Sequence, residues 1–130
     1  MIVVVADASA LLDYLLGSSV RAAAIVTAPD SDLHIPSLCD VEIVAALRRA
    51  LHRRLLSPLR AEQALRDHLD LPLMRHGHEA LVERMLELRG NFTAYDAAYA
   101  ALAEALGAGL LTTDAPFARA VRSHLAVPVL

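Results

Sequence analysis

An α/β domain built on a mostly parallel sheet, flanked by helices, is the fold class this sequence predicts. Short β-branched runs alternate along the chain with longer segments of helical period, the pattern of strand–helix–strand units. The first run, Ile2-Val3-Val4-Val5-Ala6, is apolar almost without a break, as a strand covered on both faces is. A length of 130 residues suits one domain, residues 1–130, with a single sizeable core, and is too short for two.

After the strand at 2–6, two helical segments, SALLDYLLG and SSVRAAAIVTA, are separated by Gly17 and Ser18. LHIP (33–36) reads as a short strand ended by proline, and 38–54 as a helix that begins buried and ends basic. Residues 58–71 are amphipathic and rich in good helix formers. A weak strand at PLMRH precedes the helix HEALVERMLELRG, which Gly90 should end. AYDAAYAALAEALG is a helix leading into the strand AGLLTTD; a short helix, PFARAVRSHL, then precedes a terminal strand, VPVL. Repeats, low-complexity tracts and linkers are absent.

Composition excludes several classes of function. Apolar residues make up 56% and charged residues 21%, which is not the composition of a disordered chain. No stretch approaches the roughly 20 apolar residues needed to span a bilayer. The apolar start has no basic n-region and contains Asp7 and Asp13, so it is expected to be a strand and helix and not a signal peptide. Cys39 is the one cysteine; it has no internal disulfide partner and fits a reducing cytoplasm. All twelve basic residues are arginine, so chemistry that needs a lysine, such as a P-loop or a Schiff base, is excluded. The net charge of −3 gives no global attraction for nucleic acid.

Open parallel sheets bind ligands outside the carboxyl ends of their strands. Asp7 directly follows the first strand and Asp114 the strand GLLTT. Glu42 lies one turn into the helix after LHIP, and Asp96 one turn into the helix leading to GLLTT. Four carboxylates are therefore expected to converge. Each has a plainer reading beside that one. Asp7 or Ser9 suits the cap of the first helix and Asp114 that of the last. Asp96 follows Thr93 at capping-box spacing. Asp40 stands in the same relation to Ser37 and is assigned to capping. Glu42 is too far into its helix to cap it, and its neighbours Val41, Ile43, Val44, Ala45, Ala46 and Leu47 make that helix apolar almost all round. A lone glutamate there needs a partner, either an arginine or a cation shared with the other acids. An all-oxygen set suits Mg²⁺ or Mn²⁺ better than zinc, and such an ion activates water and neutralises phosphoryl charge.

The segments ADAS, DVEIVAALRR and NFTAYDAAYAALAEALGAGLLTTD resemble the PIN domain, most closely the VapC toxins of bacterial toxin–antitoxin pairs, over the whole chain. The resemblance implies a three-layer sandwich around a mostly parallel five-stranded sheet. It also implies a Mg²⁺- or Mn²⁺-dependent endoribonuclease, a cognate VapB-type antitoxin and a homodimer. Asp7, Glu42, Asp96 and Asp114 occupy the family's four acidic positions. Asp7, Asp96 and Asp114 are the expected metal ligands, and Glu42 the residue that orients or deprotonates water. Thr112 and Ser9 match polar positions supporting those acids. Some members carry a further acid where this chain has Ala115 and Pro116, which leaves the second metal position open.

RNA drawn to an acidic pocket needs flanking cations. Arg48, Arg49, Arg53 and Arg54 cluster at the end of the Glu42 helix and suit phosphate; a solvated helix end complementing the dipole is the plainer reading. His76 and His78 form an H-x-H, read as a loop. Tyr95 and Tyr99 are expected to be packing residues. A receiver domain would want paired acids after the first strand and a lysine near the last, and this chain has neither. The alternative to a nuclease is a catalytically silent PIN module that binds RNA or a protein partner.

Overall fold

The computed structural model describes residues 1–130. Its elements alternate as β1 (Ile2–Ala6), α1 (Ala8–Leu15), α2 (Val20–Val26), β2 (Ser31–Pro36), α3 (Leu38–His52), α4 (Pro58–Asp70), β3 (Leu73–His76), α5 (Val82–Glu87), α6 (Ala94–Leu106), β4 (Gly109–Leu111) and α7 (Ala115–His124). The four strands pair in the order β3-β2-β1-β4, every pair parallel. Parallel strands bury both faces, which is why Val4, Val5, Ile35, Leu110 and Leu111 are all fully inaccessible. Reading the order, the chain steps from β1 to β2 to β3 in one direction and then returns to β4 on the other side of β1. With right-handed crossovers, that reversal puts α6 on the face opposite α1–α4, giving three layers. It also makes the carboxyl ends of β1 and β4 the place where the strand order reverses, the position at which such sheets form a crevice.

Strand count departs from expectation. The terminal VPVL makes only an isolated parallel bridge, Val129 to Leu110, at the edge of β4. Leu110 N donates to Pro128 O and Leu130 N to Leu110 O, at 2.8 and 2.9 Å. Pro128 has no N–H to add the preceding rung, so the sheet has four strands and one bridge in place of five.

Local chemistry sets most boundaries. Asp7, Ser19, Ser57, Thr93 and Asp114 each cap the following helix through a side-chain oxygen. Gly107 ends α6 in the left-handed region at φ 61°, where residues with a Cβ are strained. The segment expected as one helix over 78–90 is instead a 3₁₀ turn, the short α5 and a second 3₁₀ turn. Only Leu81 and Leu88 are buried there, while Val82 and Leu86 are exposed, so no continuous apolar stripe holds a longer helix against the core. Gly90 does not adopt a left-handed conformation.

Two expectations about α3 are corrected. The helix is not buried all round: Cys39, Ile43 and Leu47 form its core stripe, whereas Val41 and Val44 are 71% and 52% exposed. Ser37 and Asp40 do not form a cap. Ser37 is itself helical and donates its hydroxyl to His76 O, while Leu38 N donates to His78 Nε2 at 3.0 Å. Asp40 accepts two hydrogen bonds from the Arg75 guanidinium, at 2.8 and 3.1 Å, and pairs with His68 Nε2 at 2.7 Å. Arg75, then His68, holds the Asp40 carboxyl below the usual aspartate range against its partial burial. This network ties α3 to α4 and β3 over a His68 that is 1% exposed.

Asp40→Ala should lower stability by about 1–3 kcal/mol, the usual penalty for stranding a buried donor, measured by urea unfolding at pH 7. Because the folded pKa of Asp40 is depressed, its contribution is present above the unfolded aspartate value and is lost as pH falls through the folded one. The gap between wild type and variant should therefore close only under strongly acid conditions.

Candidate active site

Asp7 leaves β1 and caps α1, so its carboxylate is placed at the sheet edge by both elements at once. It is 5% exposed and each oxygen is engaged: Oδ1 accepts from Ser9 Oγ at 2.7 Å and Ala10 N at 2.9 Å, and Oδ2 accepts from Thr112 Oγ1 at 2.5 Å. Thr112 follows β4, and its Oγ1 also accepts from Asp114 N at 3.0 Å. Ser9 Oγ accepts from Thr113 N at 3.2 Å. The carboxyl ends of β1 and β4 are thereby laced together through Asp7, Ser9 and Thr112.

Asp114 caps α7 through Oδ1, which accepts from Phe117 N, and turns its other oxygen free. Asp96 sits in the first turn of α6. Its N–H donates to Thr93 Oγ1, but the reciprocal half of a capping box is not made, and its carboxylate has no protein hydrogen-bond partner. Glu42 reaches in from α3, where Tyr99 O–H donates to its Oε1 at 2.5 Å. All four acids line one cleft of about 320 Å³ together with Ser9, Leu12, Ala46, Arg49 and Tyr99. A capping role and a place in the cleft coexist for Asp7 and Asp114, so the two readings of those residues are not exclusive.

Of the two tyrosines expected to pack, Tyr99 does so, at 2% exposure within the core, and Tyr95 does not. Tyr99 is also the hydrogen-bond partner that the half-buried Glu42 requires. The signal was present in the sequence, since Asp96 and Tyr99 are an i, i+3 pair on one helix face. Tyr95 does not pack in the core; it is 64% exposed and lines a neighbouring groove with Val41, Glu42, Arg49 and His78. The arginine cluster separates as well. Arg49 alone lines the acidic cleft. Arg48 faces a groove between α3 and α4 with Leu51 and Glu62, Arg53 ends α3, and Arg54 has a left-handed backbone at φ 56°. His76 Nε2 lies 2.9 Å from His34 Nδ1, and His78 serves the start of α3.

Burial and mutual repulsion act on these carboxyls together. Burial pushes Asp7 up, aided by the charge of Asp114 and opposed by the hydrogen bonds from Thr112, Ser9 and Ala10. Glu42 is raised by burial and by Asp7, against Tyr99 and Arg49. Asp96, with no donor to offset burial and the charges of Asp114, Asp7 and Glu42, is pushed up to about 6. Such a cluster of raised acids calls for a cation. The donor set is oxygen only, with both Asp96 oxygens, Glu42 Oε2 and Asp114 Oδ2 unclaimed, which fits a hard divalent ion. No three of these side chains close into a compact cage; Mg²⁺ usually takes one or two carboxylates directly and keeps several waters.

An aspartate raised to about 6 in the folded state makes stability greatest below the unfolded aspartate value and lower as pH rises through 6. In EDTA, Asp96→Asn should therefore be more stable than wild type at pH 7.5, by on the order of 1–2 kcal/mol after discounting solvent screening of this half-buried group, and the gap should shrink towards pH 4. Thermal unfolding of both proteins across that range reads this directly.

Comparison with known proteins agrees with this fold. The family model described as the PIN domain matches residues 4–122. Ribonuclease VapC9 of Mycobacterium tuberculosis is 41% identical over 111 residues, 85% of each chain. Ribonuclease VapC12 of the same organism is 35% identical over 121 residues, 93% of this chain and 92% of the relative. Among solved structures, Mycobacterium tuberculosis VapC20, described as a sarcin-ricin loop cleaving toxin, superposes with a TM-score of 0.65 at 17% identity, covering 90% of this chain and 94% of that one. With four acids gathered at the β1/β4 crevice of a parallel sheet and relatives of this identity along most of its length, the chain belongs to the PIN domain family, among the VapC ribonucleases.

Proposed function

We propose that this chain is a Mg²⁺- or Mn²⁺-dependent endoribonuclease acting in the cytoplasm as the toxin of a toxin–antitoxin pair. The observation that carries the reading is the convergence of Asp7, Glu42, Asp96 and Asp114, from four different elements, on one cleft. The ribonuclease names of relatives that share 35–41% of their residues with it support the substrate class. Asp7, Asp96 and Asp114 are the residues that would hold the cation. When bound, such an ion lowers the pKa of coordinated water and neutralises charge on a phosphoryl oxygen.

The chain's own residues account for the rest. Glu42 Oε2, left free while Tyr99 holds Oε1, takes the proton of the attacking water as its oxygen bonds to phosphorus. The bond from phosphorus to the 3′ oxygen breaks and that oxygen takes a proton from solvent, giving a 5′-phosphate and a 3′-hydroxyl. Burial lifts Glu42 above the ordinary carboxylate range, which makes it a better proton acceptor than a solvated glutamate. Arg49, at the cleft wall, offsets the acids for an incoming polyanion. Exposed Val41, Val44, Leu55, Leu59 and Tyr95 provide apolar surface for a VapB-type antitoxin and for a homodimer. No single helix is long and apolar enough to cross a membrane.

Purified, antitoxin-free protein incubated with total RNA should cut at discrete sites with Mg²⁺ or Mn²⁺ and not with EDTA. Asp96→Asn should lose cleavage by at least about 100-fold while remaining folded. Ends bearing 2′,3′-cyclic phosphate would exclude the hydrolytic route, and metal binding without any cutting would favour a silent binding module. Tyr99→Phe should lower kcat roughly tenfold. Since the tyrosine hydrogen bond favours ionised Glu42, its loss should move the acid limb of the pH–rate profile to higher pH.

A further inference from the structure

Beyond Asp114, a second cleft of about 380 Å³ adjoins the acidic one, its wall including Arg21, Thr113, Asp114, Ala118, Arg119 and Arg122. Asp114 lines both, so the two meet at a single residue. Three guanidiniums in one cleft are unusual for a chain of net charge −3. Their commitments differ. Arg21 is spoken for: it donates to Thr112 O at 2.7 Å and to Leu130 O, tying α2 to the end of β4 and to the terminal bridge. Arg119 and Arg122 make no ion pair, whereas Arg75 and Arg84 are bound to carboxylates. Both are exposed.

Ala115, Ala118, Arg119 and Arg122 fall at i, i+3, i+4 and i+7 along α7, which puts them on one helix face. Two alanines at that spacing leave an open floor beneath two long cationic side chains. Arg122, in the last turn, also complements the helix dipole; Arg119, in the middle of the helix, does not, so the dipole accounts for only half of the pair. Arginine in this setting favours an oxyanion held by a planar fork.

Building on the nuclease reading, we infer that this cleft seats a backbone phosphate of the RNA strand next to the one being cut. Arg119 and Arg122 grip it, so the strand crosses the acidic cleft over Asp114. The acids then face the scissile phosphate while its neighbour is neutralised a short distance away. This divides labour between the clefts: Arg119 and Arg122 bind, and the acids react.

The test compares wild type with the Arg119→Gln/Arg122→Gln double variant on a short single-stranded oligoribonucleotide that wild type cleaves. KM should rise about tenfold or more while kcat changes less than about threefold. In the non-cleaving Asp96→Asn background, the slope of log affinity against log salt should flatten by roughly 1.4, two contacts at about 0.7 each. Arg119→Lys/Arg122→Lys should recover most of that slope, and Arg66→Gln on α4 should leave it unchanged. Unchanged KM and slope in the double variant, with wild type still active, would overturn the seat and leave the nuclease reading standing. Loss of antitoxin binding with RNA kinetics unaffected would also overturn it, assigning the cleft to an acidic protein segment. A wild type that neither cuts nor binds RNA would remove both.

Discussion

A carboxylate that is 5% exposed has to be satisfied where it stands, and the rest of this structure is arranged around doing so for Asp7. Its two oxygens take hydrogen bonds from Ser9, Ala10 and Thr112. The last of these comes from a residue more than a hundred positions away in sequence. The network therefore closes the crevice between β1 and β4 chemically as well as topologically. Thr112 passes the restraint on to Asp114 through the Asp114 N–H, so two acids from separate strands are held by one hydroxyl. Networks of this kind rigidify when every member is satisfied.

The remaining acids are placed with less support. Asp96 has no donor, and Glu42 has one. Placing unsupported carboxylates beside Asp7 raises their energy in the absence of a cation, and a fold selected only for stability would have no use for it. The same crowding creates a negative field of the kind a divalent cation would offset. Structural polar networks elsewhere in the molecule are built otherwise: Asp40 is fully answered by Arg75 and His68, and its pKa moves down where those of Asp7, Glu42 and Asp96 move up. The directions differ because Asp40 faces an arginine, whereas Asp7, Glu42 and Asp96 face burial and like charge.

Legibility varied with the range of the interaction. The parallel α/β class and the strand-end positions of Asp7 and Asp114 followed from local pattern, because hydrophobic period and cap chemistry act over a few residues. Capping misled at Asp40, since Ser37 and Asp40 have the spacing of a cap but the acid is drawn off by Arg75, 35 positions along. A helix expected from its composition over 78–90 broke up because the core met it only at Leu81 and Leu88. Val41 and Val44 were expected inside on hydrophobicity alone, yet no element covers that side of α3.

By itself the sequence determined which residues had to end strands, cap helices and need a partner, and so which four acids were worth bringing together. Only the tertiary structure decided what each of them meets. Tyr99 reaches Glu42 across 57 positions, Arg49 turns into the cleft while Arg48 turns away, and α7 sets Arg119 and Arg122 beside Asp114. The reason is physical: period and propensity are properties of neighbours in sequence, whereas hydrogen bonds and fields depend on distances that exist only once the sheet order β3-β2-β1-β4 has folded the chain back on itself.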